Sequence, residues 1–446
     1  MANVLEGAVR KWVPGFGGGA GRLLAYFSKD LLFTLGAMLI VSRPVRLRPS
    51  RDVFSGWMGA AWALMGVGAA LSAAQAFNMV GTGLTLRALV FLPLLALMFV
   101  RRISGFPLLA VASVTVIFAL VNLPLSLAQS RLPSGHILNK YASDMGYIVE
   151  VDAGVRATGT FAYITGLGVM SAAGTWAGLV VLSLGRGWKY QVLGVAGLIA
   201  SLGCGFASVS RGPVVVALAM IGMWALSSAK TVKLIWKAAW YGAAVSLVAL
   251  LFAPGLSDRF LHMGEGAFDR FSSAGDSNMG RAVGQFEEMW QAITEHPMGV
   301  GLGTEQVGGN VAATGVAGFT NYESQFPRVV AELGVAGLLG FFLLVGGTVL
   351  ALQKAKQDYS AAGFPLAMTA TQLFFLSQSY TSLMVNHTAS AFAWLTVAGA
   401  LAAVPASKRS EAVRTDGRRR MRKGRRVDSE ALEAVRNKPA LDGIPE

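Results

Sequence analysis

Apolar residues in this chain fall into blocks about as long as a hydrocarbon core is thick, separated by short polar or glycine-rich connections. Roughly 20 residues at about 1.5 Å rise each cross a bilayer. Such blocks must be helical, because lipid offers no partner to an open strand edge. The pattern predicts membrane helices at about 22–41, 54–75, 83–100, 107–128, 160–182, 190–207, 212–228, 234–252, 327–352, 364–383 and 390–404. The expected fold class is therefore an all-α polytopic membrane protein with about 11 transmembrane helices, within a range of about 10–12. Residues 1–406 form the membrane domain and include a long, partly helical outer loop at 254–326; residues 407–446 form a basic, disordered tail.

Composition agrees with this reading. Of the 446 residues 54% are hydrophobic and 14% charged, whereas a soluble domain carries about a quarter of its residues as Asp, Glu, Lys and Arg. The one cysteine, Cys204, lies in an apolar block, so an intrachain disulfide is excluded and a packing role expected. The first residues, MANVLEGAVRKWVPGFGGG, lack the apolar core of a removable signal, and the first membrane helix is expected to do the targeting.

Basic residues occupy alternate connections: Arg43, Arg46, Arg48 and Arg51; Arg101 and Arg102; Arg186 and Lys189; Lys230, Lys233 and Lys237; Lys354 and Lys356; and the tail from Lys408. The positive-inside rule makes these cytoplasmic, so 129–157, 208–211 and 254–326 share the opposite side. Eleven helices put the N-terminus outside, and a re-entrant segment before Arg22 would put it inside. The net charge of +14 is mainly a topology signal. A run such as RRRMRKGRR also suits anionic lipid headgroups, and nucleic acid is a poor match.

Arginines on the outer side carry the candidate chemistry, since a guanidinium at a membrane boundary is costly unless it meets an anion. Arg156 opens RATGTFAYITGLG, where Thr158 and Thr160 also fit a capped helix entry. Arg211 lies in the short turn SVSRGP between two apolar helices, well placed for a lipid diphosphate, with snorkelling to water as the alternative. Arg281 stands at the expected start of a helix in RAVGQFEEMWQAITEHP, where a cation is not locally favoured. In that helix Val283, Phe286, Met289, Trp290 and Ile293 recur every three to four residues, an apolar stripe that lies down on protein or membrane interface. MGVGLGT follows, with Gly299, Gly301 and Gly303 allowing tight turns; without a preceding strand it is no dinucleotide motif. NYESQFPRVVAELGVAG then enters the next helix, with Tyr322, Glu323 and Arg328 at the outer surface and Glu332 about two turns deeper. A carboxylate here is a candidate general base, and an ion pair with a nearby arginine is its structural alternative. No Asp or His cluster in the outer loops points to a metal.

EGAVRKWVP followed by FSKD, then RATGTF, SVSRG, and the run from Arg281 through HPMGVGLGT to AELGVAGLLG resemble, in this order, the O-antigen ligase and Wzy-type polysaccharide polymerase superfamily, with the first stretch similar to exopolysaccharide polymerases. The resemblance implies a GT-C-like integral membrane glycosyltransferase of the bacterial inner membrane, with a periplasmic site and a cytoplasmic C-terminus. Polyprenyl-diphosphate-linked saccharides would be donor and acceptor; membrane lipids and chain-length regulator proteins would be further partners; no cofactor or metal is implied. Arg211 and Arg281 match the family's functional arginines, which contact the donor diphosphate. Ligases carry a histidine before the helix with the ELG stretch, and this chain has Glu323 at or beside that position; His296 and His387 lie elsewhere. Glu323 then serves as base, and the departure favours polymerase over ligase. Arg156, Tyr322 and Arg328 follow as substrate-binding candidates.

The expected function is metal-independent, inverting polymerisation of lipid-linked repeat units, with arginines stabilising the departing diphosphate and the amphipathic helix excluding water. A ligase that moves finished glycan uses the same donor chemistry. A lipid-linked sugar transporter is the rival from another class, but it would place its polar residues at mid-membrane, often in repeated halves. A scaffold leaves the arginines unexplained.

Overall fold

The computed structural model describes residues 2–13, 28, 31–32, 34–36, 38–42, 49–103, 105–139, 150–151, 154–161, 163–209, 211–227, 275–304, 325–358, 363–381 and 387–403. In chain order they form α1 (Ala2–Trp12), α2 (Pro49–Ala73), α3 (Met79–Leu86), a π turn (Arg87–Phe91), α4 (Leu92–Arg102), α5 (Leu108–Arg131) and a 3-10 turn (Ile137–Asn139). A two-residue antiparallel hairpin follows, β1 (Glu150–Val151) with β2 (Gly154–Val155). Then come α6 (Ile164–Leu184), α7 (Trp188–Ala207), α8 (Arg211–Leu226), α9 (Gly275–Glu295), α10 (Gln325–Asp358), α11 (Phe364–Thr381) and α12 (His387–Ala403).

Six helices among the described residues are long and apolar enough to cross a membrane: Asp52–Ala73, Gly81–Arg102, Leu108–Arg131, Ile164–Leu184, Trp188–Ala207 and Gln325–Gln357. Gly212–Leu226 and Ala389–Ala403 are shorter apolar helices. The polytopic helical class read from the sequence holds. The helix expected at 234–252, the basic residues 43–48, 230–237 and 408 onward, and the tail lie outside the described residues.

Helix α6 sits in the middle, buried along most of its length. Small residues let its neighbours come close, as is common where helices pack without a hydrophobic driving force. Gly174 of α6 faces Ser201 of α7 and Ala119 of α5, Gly178 faces Gly194, and Gly197 of α7 faces Val116 of α5. Cys204 is fully buried with Sγ 3.8 Å from the Ala119 carbonyl, the expected packing role. Trp176 Nε1 donates to Thr371 Oγ1 of α11 at 3.0 Å, satisfying a polar group that lipid could not.

Contacts between connections assign the two ends of this bundle. At one end Arg102 donates to the Val41 carbonyl, Gly105 N donates to the Ala402 carbonyl at 2.9 Å, Trp224 Nε1 reaches Ser183 Oγ at 3.3 Å, and Gly363 packs on the Ser183 carbonyl. Arg101, Arg102, Arg186, Lys189, Lys354 and Lys356 flank these contacts, so the described basic connections share one end. The opposite end carries residues 74–78, 132–139, 154–161 and 208–209, and α1 is seated there: Trp12 Nε1 donates to the Ile137 carbonyl at 3.2 Å.

Three expectations need correction. The helix expected from Thr160 starts at Ile164. Helix α9 starts at Gly275, so Arg281 lies in its second turn and not at its first residue. The straight helix expected over 327–352 is broken at Gly334, whose φ is 64° and ψ −169°. Phe326 and Phe341 would stand about 22 Å apart along a straight helix; their ring centroids are 6.2 Å apart. The chain therefore folds back at Gly334.

Candidate functional site

The RATGTF segment runs irregularly over the end opposite the basic one, yet much of it is buried: Val155, Ala157, Thr158 and Phe161 are each 5% exposed or less. A buried irregular segment must find partners for its amides, and α5 supplies them. Asn122 and Gln129 stand seven residues apart, two turns along one face. Gln129 Oε1 accepts from Thr158 N at 3.0 Å and Gly159 N at 2.7 Å. Asn122 Oδ1 accepts from Thr160 N at 2.9 Å and Thr160 Oγ1 at 3.1 Å. Gly159 has φ 57° and touches the Asn122 side chain, a place for glycine alone. The capped-entry reading of the threonines fails, because the N-cap of α6 is Tyr163 and makes no side-chain cap bond. Replacing Gln129 with Leu strands two buried amides, at about 1–3 kcal/mol each. The expected result is faster hydrogen exchange at Thr158 and Gly159, with the exchange of mid-bundle α6 amides unchanged.

From the other side α1 presses Lys11 into the same segment. Lys11 is 3% exposed, and its Nζ donates to Thr158 Oγ1 at 2.8 Å and the Gly159 carbonyl at 2.7 Å. Helix α1 is not among the membrane-crossing helices. Burial pushes the Lys11 pKa down to about 7, since a charge loses hydration there. A folded pKa below the unfolded one means the undocked state binds more protons above pH 7. Docking of α1 is thus weakest below pH 7 and tightens as the pH rises above it. Protease protection of residues 2–12 is expected to increase from pH 6 to pH 9 in the wild type and to stay flat in Lys11→Met.

Two bonds tie this segment to the turn that precedes Arg211. Ala157 N donates to the Ala207 carbonyl at 3.1 Å, and Arg156 Nη2 donates to the Val209 carbonyl at 3.4 Å. Arg156 is partly buried, and its Nε has no hydrogen-bond partner among the described residues. Val209 has φ 53°, the one positive value of a non-glycine residue among the described residues. A β-branched residue in the left-handed region is strained, and such strain tends to collect at functional turns. Arg211 then opens α8, with Pro213 at its third position. The structure thus brings Arg156 to the turn that precedes Arg211.

At the same end of the bundle, HPMGVGLGT and AELG are woven together. Leu302 bridges Phe77 in parallel register in the connection between α2 and α3; Asn78 N donates to its carbonyl at 3.0 Å and its own N donates to Ala76 O at 2.9 Å. Val300 N donates to Ala331 O at 2.7 Å, and Val335 N to Pro297 O at 2.9 Å. Glycines make this approach possible: a methyl group on Gly334 would lie 2.6 Å from the Pro297 carbonyl oxygen, and one on Gly81 would lie 1.8 Å from that of Gly303. Glu332 is fully buried and accepts a hydrogen bond from Thr85 Oγ1 of α3. Arg328 is 4% exposed, on the same face as Glu332 one turn earlier. Tyr322 and Glu323 lie outside the described residues. Arg281 lies within α9, whose Phe286 and Trp290 are 64% and 65% exposed while Ala292 is buried. Of the two surfaces expected to receive the apolar stripe, the protein receives Ala292 and leaves Phe286 and Trp290 facing outward.

Residues 196–342 match the family model of the O-antigen ligase. The chain carries an O-antigen ligase-type domain. No curated protein matches the chain. The O-antigen ligase-type match takes in SVSRG, Arg281, HPMGVGLGT and AELGVAGLLG, while EGAVRKWVP and RATGTF precede it. Those two stretches nevertheless bond to each other, and RATGTF bonds to the end of α7 within the match. The match supports a ligase- or polymerase-type glycan-handling membrane protein, a family that implies lipid-linked saccharide substrates.

Sequence reasoning missed Lys11, Asn122, Gln129 and Thr85 as supports of this region. Two amides seven residues apart in an otherwise apolar block were a signal, since a polar group in a membrane helix faces a partner. Lys11 had none beyond its place in EGAVRKW.

Proposed function

We propose that this protein polymerises polyprenyl-diphosphate-linked oligosaccharide repeat units, of exopolysaccharide or O-antigen type, on the periplasmic face of the bacterial inner membrane. The observation that carries the reading is the O-antigen ligase-type match over 196–342, together with the gathering of its motifs at the end of the bundle opposite the basic residues. In this reading eleven helices in a GT-C-like arrangement form residues 1–406, the outer loop is 254–326, and the basic tail 407–446 is cytoplasmic.

The acceptor sugar hydroxyl attacks the donor anomeric carbon, Glu323 takes the hydroxyl proton, and the bond from that carbon to the diphosphate oxygen breaks. Arg211 and Arg281 hold the departing diphosphate; Arg156, Arg328 and Tyr322 orient the saccharides beside it. Fixed guanidinium donors aimed at a developing anion are worth most where water is excluded. No metal is needed for this charge balance. A single displacement inverts the anomeric centre, so product analysis by proton coupling is expected to give inversion, and retention would rule out this scheme.

The ligase reading is favoured by one observation, the name of the matched family. A strain lacking the protein separates the two. Loss of polymer with accumulation of single lipid-linked repeats supports the polymerase, and polymer of normal length left unattached supports the ligase.

A further inference from the structure

EGAVRKWVP has no part in the transfer chemistry above, although the helix it forms is seated on the candidate site. Nothing in a short amphipathic helix requires a lysine to be buried: a thioether or aliphatic chain fills such a space at less cost than an amine that loses its hydration. Lys11 is nevertheless almost wholly buried, and the two acceptors of its Nζ among the described residues, Thr158 Oγ1 and the Gly159 carbonyl, belong to one loop. That loop carries Arg156, whose guanidinium reaches the Val209 carbonyl two residues before Arg211. Thr158 and Gly159 are also the residues held by Gln129 from below, so α1 closes the loop against α5 from above.

We propose that Lys11 is a positioning residue of the transfer site, fixing through Thr158 and Gly159 the loop that carries Arg156 and braces the turn of Arg211. The proposal rests on the reading of Arg211 as a diphosphate ligand and of Arg156 as a saccharide-orienting residue beside it. Lys11 does not touch substrate in this account; it acts through loop geometry, and α1 is a latch that must be docked for the anion site to be formed.

The test uses the full chain in lipid nanodiscs, with inorganic pyrophosphate as probe, hydrogen exchange over 154–161 and the thermal unfolding midpoint. Lys11→Met is expected to raise the pyrophosphate dissociation constant about tenfold, equivalent to about 1.4 kcal/mol, and to speed exchange at 157–160. Its unfolding midpoint is not expected to fall, because a desolvated amine has been replaced by an apolar chain. Thr158→Val, which leaves the charge unchanged, is expected to weaken pyrophosphate binding too, and Lys11→Arg to recover part of the affinity. Three results would overturn the proposal: wild-type binding and exchange in Lys11→Met; weakened binding in Lys11→Met but not in Thr158→Val, which would make Lys11 a charge acting directly on the anion; or an affinity loss matched by a falling midpoint, which would make it a merely structural residue. If the wild type binds no pyrophosphate, the diphosphate reading fails, and the exchange data judge the latch by themselves: faster exchange at 157–160 in Lys11→Met upholds it and unchanged exchange rejects it.

Discussion

Cells that carry Arg211→Ala in place of the wild-type protein are expected to lose high-molecular-weight glycan and accumulate single lipid-linked repeats, with normal amounts of protein in the membrane. The reason is local. Arg211 opens α8 after a strained turn at Val209, and Arg156 donates to the carbonyl of that same turn. Removing one preorganised donor from a developing anion costs about 10²–10³ in turnover, far more than loss of an arginine snorkelling to water. Arg211→Lys keeps the charge without the planar fork and is expected to recover only a small part. Glycan size analysis of the two variants beside Arg281→Ala checks this. Polymer of normal length and amount in Arg211→Ala would remove Arg211 from the site.

Gly334→Ala is expected to have the second large effect, this one on folding. The residue holds φ 64° and ψ −169° at the corner of α10, a region essentially confined to glycine that costs an L-residue about 1–3 kcal/mol. The added methyl would also lie 2.6 Å from the Pro297 carbonyl oxygen and 2.8 Å from the Met298 carbonyl carbon, both backbone, so relief requires the MGVGLGT segment to move. That segment is bonded to Ala331 and Val335 on either side of the corner. The sum is about 3 kcal/mol or more, seen as low membrane abundance and a lowered unfolding midpoint in purified protein. The control is Gly346→Ala, further along the same helix, where nothing lies within 4 Å of the added methyl and no loss is expected.

The membrane helices were legible because hydrocarbon demands long apolar runs, and those runs are visible without any packing knowledge. The starts of α6 and α9 were not, since amides at a helix start are satisfied by groups distant in sequence: Gln129 and Asn122 hold 158–160 out of the helix. Helix α1 was missed because an eleven-residue amphipathic segment is marginal alone and is stabilised by docking on Thr158, Gly159 and Ile137. The corner at Gly334 was hidden because glycine is common in membrane helices, and the Pro297 contact that fixes it comes from the other side of a long loop. For the site, the arginines and glycines were legible as types out of place. The buried amides that hold Arg156 toward Arg211 emerged only from the fold. The proposed base Glu323 rests on its place in NYESQFP and on the resemblance.

The most direct test of polymerase function is reconstitution of the purified chain in liposomes with lipid-linked repeat units as the sole saccharide. A ladder of products at whole multiples of the repeat is expected, absent with Glu323→Gln at equal protein. Transfer of preformed polymer without a ladder, or movement of repeat units across the bilayer with no product formed, would contradict it.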